Sequence, residues 1–127
     1  MASQLFLELE HRVEEFAAAW RSHDVARIQR EFFDADACVV GEGMTRAASD
    51  PSSVLAAIEY MVGVAPLISI EIVKASDYSS SIIGSWLNWH VVDAQGAVLA
   101  TMRSLTVWEK VDGRLVILAD SYSTGAL

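Results

Sequence analysis

Apolar side chains recur at helical spacing near the start of the chain. Steps of three or four residues separate five of them, which therefore share one helical face: Leu5, Leu9, Val13, Phe16 and Trp20. Charged residues occupy much of the opposite face. This pattern predicts an amphipathic helix over residues 4–21, whose aromatic pair, Phe16 and Trp20, faces whatever the helix covers.

Two shorter helices are predicted after the first. Asp24 can cap the free backbone N–H groups of a second helix that ends by Asp34. Asp50 and Pro51 suit the N-cap and the first position of a third helix, and Gly63 is a natural stop for it.

The pattern changes to alternation with period two after Pro66, which is typical of strands. Asp112-Gly113 favours a two-residue hairpin turn, because both positions tolerate a positive φ. The predicted strands lie at 37–40, from 68 onward, and at 81–92, 98–110 and 115–123. No repeat or linker interrupts them, so we expect one α+β domain over residues 1–127, with the helices on one face of a curved antiparallel sheet.

Composition narrows the class of protein. The 127 residues are 53% apolar, which excludes a disordered chain, and the formal net charge of −8 argues against a nucleic acid partner. Cys38 is the only cysteine, so no disulfide framework is expected. The apolar runs are too short for a membrane helix and the N-terminus lacks a cationic signal start, so we expect a cytoplasmic protein with no membrane partner.

The order of elements and several short motifs resemble the nuclear transport factor 2-like superfamily, and within it the small SnoaL-like members. The motifs are Trp20…His23-Asp24, Phe32 to Ala37, Asp50-Pro51, Val107 to Arg114, and Asp120 to Ser123. The resemblance implies a cone-like curved sheet whose concave face is covered by the three helices of the N-terminal half. It also implies a pocket for a small apolar or carbonyl-containing organic molecule, with no cofactor.

The catalytic residues of the ketosteroid isomerases in that superfamily do not carry over. Their oxyanion-hole tyrosine, strand carboxylic acid and aspartate base would fall near Phe16, Leu105 and Gly41. None of these residues supplies the functional group, so the isomerase mechanism has no support from the sequence.

Limonene epoxide hydrolase, with its Asp-Arg-Asp set, supplies one match. The matching positions are Asp120 on the last strand, and Trp89 and Leu87, which cannot act in the same way. Arg103 on the adjacent strand could supply a guanidinium. The resemblance therefore carries over Asp120 alone.

Turn geometry predicts which strand residues face the same way. A two-residue turn at Asp112-Gly113 places Asp120 opposite Leu105 and Arg103 opposite Tyr122. A connection over 93–96 places Trp86 opposite Arg103, Asn88 opposite Thr101 and His90 opposite Leu99. The pocket face would then carry Trp86, Asn88, His90, Thr101, Arg103, Asp120 and Tyr122.

Two hypotheses follow for this face. In the first, the chain is a cofactor-independent isomerase, lyase or hydrolase in which Asp120 is a general acid or base, Arg103 is its electrostatic partner and His90 assists. The substrate would contact Phe16, Trp20, Trp86, Asn88, Thr101, Leu105 and Tyr122. In the second, the domain only binds a ligand or dimerises, and an Arg103–Asp120 ion pair closes the cone.

The apolar residues of the opposite sheet face predict a contact with a second copy of the chain. This face would carry Leu87, Trp89, Met102, Trp108 and Ile117. Large apolar residues on a face that the helices leave open favour a homodimer formed sheet to sheet. The three histidines are far apart in sequence, so no metal site is expected.

Overall fold

Helices and strands follow one another as the sequence pattern predicts, with small shifts at their ends. The computed structural model describes residues 2–127. Its elements are α1 (Gln4–Arg21), α2 (Val25–Phe32), β1 (Phe33–Gly41), α3 (Pro51–Val64), β2 (Ile68–Asp77), β3 (Ile82–Val92), β4 (Val98–Val111) and β5 (Arg114–Thr124). Strand β1 is longer than expected, and α3 runs one residue past Gly63.

Side-chain caps fix where the helices begin. The Asp24 side chain accepts a hydrogen bond from the Arg27 N–H at 3.2 Å. Asp50 and Ser53 form a reciprocal capping box at the start of α3, in which the Ser53 N–H donates to Asp50 at 2.8 Å. Both caps lie where the sequence places them.

The five strands form one curved sheet in the order β1-β5-β4-β3-β2. Strands β2 to β5 form an antiparallel meander, but β1 pairs with β5 in parallel. The expectation of a wholly antiparallel sheet is therefore wrong at this edge. The reason is that α3 and the whole meander separate β1 from its partner, so no hairpin sets the direction of that pair.

Phe16 of α1 is the centre of an aromatic core against the concave face of the sheet. It is 1% exposed, and its ring centroid lies 5.0 Å from that of Phe32 and 5.6 Å from that of Trp89. Trp108 is fully buried beside it. Helices α1 and α2 therefore cover the apolar side of the sheet.

The prediction of which sheet face looks outward is consequently wrong. The residues assigned to an open face lie against the helices instead, and these are Leu87, Trp89, Met102, Trp108 and Ile117. The physical reason is that the apolar face of a helix stabilises the fold by covering the apolar face of the sheet. The polar face is the one left to water.

The hairpin between β4 and β5 shows that the predicted proximity of Arg103 and Asp120 is also wrong. Asp112 and Gly113 have φ values of 51° and 81°, and the predicted pairing holds from Val111–Arg114 to Trp108–Ile117. Leu118 is then an extra residue in β5, so that Asp120 lies opposite Thr106 rather than Leu105. Because one added residue exchanges the faces, Asp120 and Arg103 lie on opposite sides of the sheet.

The hairpin between β3 and β4 departs from the predicted register in two places, but the predicted residues still share one face of the sheet. Val92 pairs with Val98, and a further irregularity between Val91 and Val92 leaves Leu99 unpaired. The two deviations together shift the pairing by two residues. Trp86 is therefore opposite Leu105, Asn88 opposite Arg103 and His90 opposite Thr101. All six side chains lie on the convex face.

Candidate active site

Asp120 is a buried carboxyl on the concave face of the sheet. The extra residue Leu118 turns this part of β5 so that Asp120 points toward the helices together with Tyr122, two residues later. Only 7% of Asp120 is exposed. Burying a carboxyl is costly unless it is hydrogen-bonded or neutral, so its surroundings decide its chemistry.

A chain of hydrogen bonds across three strands ends on Asp120. The Trp89 Nε1–H donates to Ser104 Oγ at 2.7 Å, Ser104 and Thr106 share a hydrogen bond of 2.8 Å, and Thr106 Oγ1 donates to Asp120 Oδ1 at 2.6 Å. An indole N–H can only donate and an ionised carboxylate can only accept. Every hydroxyl in the chain therefore points its proton toward Asp120.

The two oxygens of Asp120 have different environments. Oδ1 is held by Thr106, whereas Oδ2 receives no hydrogen bond from residues 2–127. No wholly buried side-chain polar atom of the described chain lacks a partner, and Asp120 lines a cavity. Oδ2 is therefore the oxygen that faces the cavity and is available to a ligand.

Burial raises the pKa of Asp120 from 3.8 to about 6, and the hydrogen bond from Thr106 opposes part of that rise. At neutral pH the carboxyl is mostly ionised, yet it can be protonated at little cost. A group with such a pKa can both take up and return a proton near pH 7.

The cavity beside Asp120 lies between α1, α3 and the sheet and has a volume of about 60 Å³. Its wall is almost wholly apolar, and Asp120 and Tyr122 bring the ionisable groups. The lining residues are Phe16, Trp20, Phe33, Met61, Val64, Ala65, Ile68, Trp89, Val91, Met102, Ile117, Asp120 and Tyr122.

Four of the ten predicted site residues come together in this cavity, namely Phe16, Trp20, Asp120 and Tyr122. The other six lie on the convex face and do not reach it: Trp86, Asn88, His90, Thr101, Arg103 and Leu105. The predicted Arg103–Asp120 pair does not form, because Arg103 is exposed and its Nε–H donates to Ser123 Oγ at 3.0 Å.

The convex residues form a separate polar network. His90 lies 3.0 Å from Thr101 Oγ1 through Nδ1 and 3.2 Å from Glu71 Oε1 through Nε2. Asn88 donates to the same Glu71 oxygen at 3.1 Å. His90 therefore has no access to Asp120, and the structure offers no shared site for the two.

The sequence does not predict the three residues of the hydrogen-bond chain that ends on Asp120: Trp89, Ser104 and Thr106. A signal for two of them was present, because Ser104 and Thr106 alternate with Trp108 on one face of β4. Once Trp108 is placed in the core, the two hydroxyls must point inward too, and buried hydroxyls need partners.

Residues 2–127 contain neither a metal-binding group of side chains nor a membrane-spanning helix. No three His, Cys, Asp or Glu side chains within residues 2–127 are grouped as a metal ion would require. No helix in that part of the chain combines the length and the apolar character of a membrane span.

Comparison with solved structures decides the fold family. A ketosteroid isomerase-like protein from Erwinia carotovora atroseptica superposes with a TM-score of 0.75 at 16% identity, covering 99% of this chain and 100% of that chain. A protein of unknown function from Shewanella oneidensis, described as nuclear transport factor 2-like, gives 0.71 at 17% identity over 91% and 96%. The chain has the nuclear transport factor 2-like fold.

Proteins with the nuclear transport factor 2-like fold are described with different activities. A candidate dehydratase of that family from Streptomyces avermitilis matches with a TM-score of 0.70 at 11% identity, over 94% of this chain and 95% of that chain. Neither a protein-family model nor a curated protein matches the sequence. At these identities the likeness establishes the fold, and the reaction must be argued from the site.

Proposed function

We propose that the chain is a cofactor-independent, SnoaL-like enzyme that moves a proton on a small, largely apolar carbonyl compound. The observation that carries the proposal is Asp120, a single carboxyl with a pKa of about 6 and one oxygen facing an apolar cavity. A carboxyl whose pKa is raised by burial and which lines a cavity is typical of functional sites.

The chemistry follows from the two ionisable groups of the cavity. Asp120 Oδ2 takes a proton from the carbon next to the carbonyl, the C–H bond breaks, and its electron pair moves onto the carbonyl oxygen as an enolate. Tyr122 lines the same cavity, and its hydroxyl donates to Met44 Sδ at 3.7 Å; after a turn toward Asp120 this hydroxyl would donate a hydrogen bond to the enolate oxygen. In a β,γ-unsaturated carbonyl compound Asp120 then returns the proton to the γ-carbon while the double bond shifts into conjugation and the carbonyl re-forms, so that no other reactant is needed for an isomerisation.

Proton exchange into simple ketones tests this proposal. Butanone and cyclopentanone would be incubated in D2O, and loss of the α-proton signal would be followed by NMR. We expect exchange with the native chain and a loss of at least about a hundredfold with Asp120→Asn, which keeps the shape without the base. Asp36→Asn is the matched control, because Asp36 is an exposed carboxyl of β1 outside the cavity.

The alternative is a non-catalytic ligand-binding domain of the same fold. Its support is that Thr106 already satisfies one oxygen of Asp120 and that the cavity is small. A ketone that binds, as judged by a thermal shift, but is not exchanged would favour this alternative. Equal exchange by the native chain and Asp120→Asn would also contradict the enzyme proposal.

We further propose a homodimer through the convex face of the sheet, in a cytoplasmic setting. The residues that first suggested a sheet-to-sheet contact are buried under the helices, so the support now comes from other side chains. Trp86 is 42% exposed in the middle of the convex face, directly opposite the partly buried Leu105. A tryptophan in that position stabilises a contact with a second copy by losing its exposure.

A further inference from the structure

A second, larger cavity lies on the other side of Tyr122. It has a volume of about 580 Å³ and is bounded by the segment after β1 and by the first two turns of α3 and Tyr60. Tyr122 lines both this outer cleft and the apolar cavity at Asp120. Its ring is therefore the wall between the two.

The Tyr122 ring is held by weak contacts. It lies over Gly41, its partner in the parallel β1–β5 pair, where a β-carbon would overlap the ring. Its hydroxyl donates to Met44 Sδ at 3.7 Å, a weak hydrogen bond to a sulfur acceptor. The hydroxyl therefore has no strong hydrogen bond that fixes the ring, and a turn of the ring would join the two cavities.

The inner cavity alone is too small for most metabolites. A volume of about 60 Å³ holds about four to six water-sized groups, at 10–15 Å³ each. A ligand that uses Asp120 and has more atoms than this extends beyond the inner cavity, and the outer cleft across Tyr122 is the larger space next to it. Its inner part must be apolar, because the inner wall is apolar.

The outer cleft holds one cation. The guanidinium of Arg46 makes no hydrogen bond or ion pair with other residues in 2–127, and Arg46 is exposed. The two carboxylates of the cleft are engaged by the chain itself. Glu42 accepts from the backbone N–H and the hydroxyl of Thr124, and Asp50 accepts from the Ser53 N–H as the cap of α3.

We propose that Tyr122 is a movable partition, and that the ligand has an apolar body at Asp120 and a terminal carboxylate that pairs with Arg46. This inference rests on the proposed function for the role of the inner cavity, and it narrows the substrate class to a carbonyl compound with a remote carboxylate. Placing the anion at Arg46 also keeps its charge away from Asp120, since like charges repel.

Calorimetric titration with four probes tests the inference: butanoate, octanoate and the matched alcohols 1-butanol and 1-octanol. We expect octanoate to bind roughly fivefold more tightly than 1-octanol, as an exposed ion pair allows. Arg46→Gln should remove that advantage and leave 1-octanol binding unchanged. Equal affinities for octanoate and 1-octanol in the native chain, or no effect of Arg46→Gln, would overturn the carboxylate assignment.

The partition is tested with two variants of Tyr122. Tyr122→Ala should tighten octanoate binding by roughly threefold or more, because the ring no longer has to turn before the ligand spans both cavities. Butanoate binding should change by less than about twofold, and so should octanoate binding by Tyr122→Phe, which keeps the ring. Unchanged or weaker octanoate binding by Tyr122→Ala, with the variant folded by circular dichroism, would overturn the partition.

The inference and the proposed function can fail separately. These titrations depend on Arg46 and Tyr122 and measure binding alone, whereas proton exchange depends on Asp120. Octanoate binding with the expected pattern, together with the absence of exchange, would leave the two-chamber ligand site in place and remove only the enzyme.

Discussion

Thr106 Oγ1 donates a 2.6 Å hydrogen bond to Asp120 Oδ1 across the β4–β5 pair. This contact joins the hydrogen-bond chain that begins at Trp89 to the carboxyl that we propose as the acid/base group. It also lowers the pKa of Asp120 against the larger effect of burial, which raises it. Thr106 therefore acts on the ionisation of Asp120 and on its orientation.

Thr106→Val should raise the pKa of Asp120 above its present value of about 6, by roughly one unit, since a hydrogen bond to a charged group contributes about 1.5 kcal/mol. The side chain keeps its shape and loses the hydroxyl that donates to Asp120 and accepts from Ser104. The pKa can be measured by NMR titration of the Asp120 carboxyl carbon. Ser104→Ala, which leaves Thr106 and Asp120 in place, should give a smaller shift. An unchanged or lower pKa in Thr106→Val would contradict the role of this contact.

Asp120→Asn should stabilise the fold at neutral pH. The folded chain holds a proton on Asp120 up to pH 6, whereas the unfolded chain releases it near 3.8. The free energy of unfolding therefore falls as pH rises from about 3 to 7, by about 3 kcal/mol in all, and this loss persists above pH 7. The pKa of Glu8 is lowered, so its ionisation makes the free energy of unfolding rise with pH. This effect is the same in the native chain and in Asp120→Asn, and it cancels when the two are compared.

Urea unfolding of the two chains at several pH values measures this difference. The stability gained by Asp120→Asn should be larger at pH 8 than at pH 4 by about 2.5 kcal/mol. A difference that does not vary with pH would mean that Asp120 titrates at its ordinary value in the folded chain.

The sequence predicts the elements of this fold well and the faces of its sheet poorly. Helix α1 has the predicted bounds because its stripe of apolar residues is unbroken. In β5, by contrast, every residue from Leu115 to Ala119 is apolar. The core would therefore receive apolar side chains whether the odd-numbered or the even-numbered residues faced the helices. The extra residue Leu118 therefore leaves no trace in the pattern.

The sequence predicts correctly the site residues whose common face does not depend on how the strands pair. Asp120 and Tyr122 share a face because they are two apart on one strand, and that relation does not depend on the pairing with β4. Arg103 was joined to them only through an assumed register, which the structure contradicts. Trp86 and Trp89 lie on opposite faces of β3, so each face carries a tryptophan. The pattern of apolar residues alone therefore does not show which face of β3 is buried.

Trp86→Glu tests the homodimer that we propose. Sedimentation equilibrium at micromolar concentration should give a mass of two chains for the native protein and one chain, 13.8 kDa, for the variant. The reason is that the glutamate places a charge where the second copy would cover an apolar surface. Tyr60→Glu is the control, because Tyr60 is 68% exposed on α3, away from the convex face of the sheet. A native mass of 13.8 kDa would contradict the dimer.

Arg12 should be the costliest charged residue of α1 to replace. It is 5% exposed, its Nε–H donates to the Leu115 carbonyl at 2.8 Å, and its Nη2 donates to the carbonyl of Glu31. The guanidinium also lies 3.9 Å from the centroid of the Phe32 ring. It therefore joins α1 to α2 and β5 at one end of the core.

Arg12→Met should lower the free energy of unfolding by about 3 kcal/mol, because two backbone carbonyls lose their donors. Arg12→Lys should recover only part of this loss, since an ammonium group lacks the planar fork that reaches both carbonyls. Urea denaturation gives both values. Arg21→Met, on the exposed end of the same helix, should change the stability by less than about 0.5 kcal/mol. If Arg12→Met were as stable as Arg21→Met, the guanidinium would not hold these elements together.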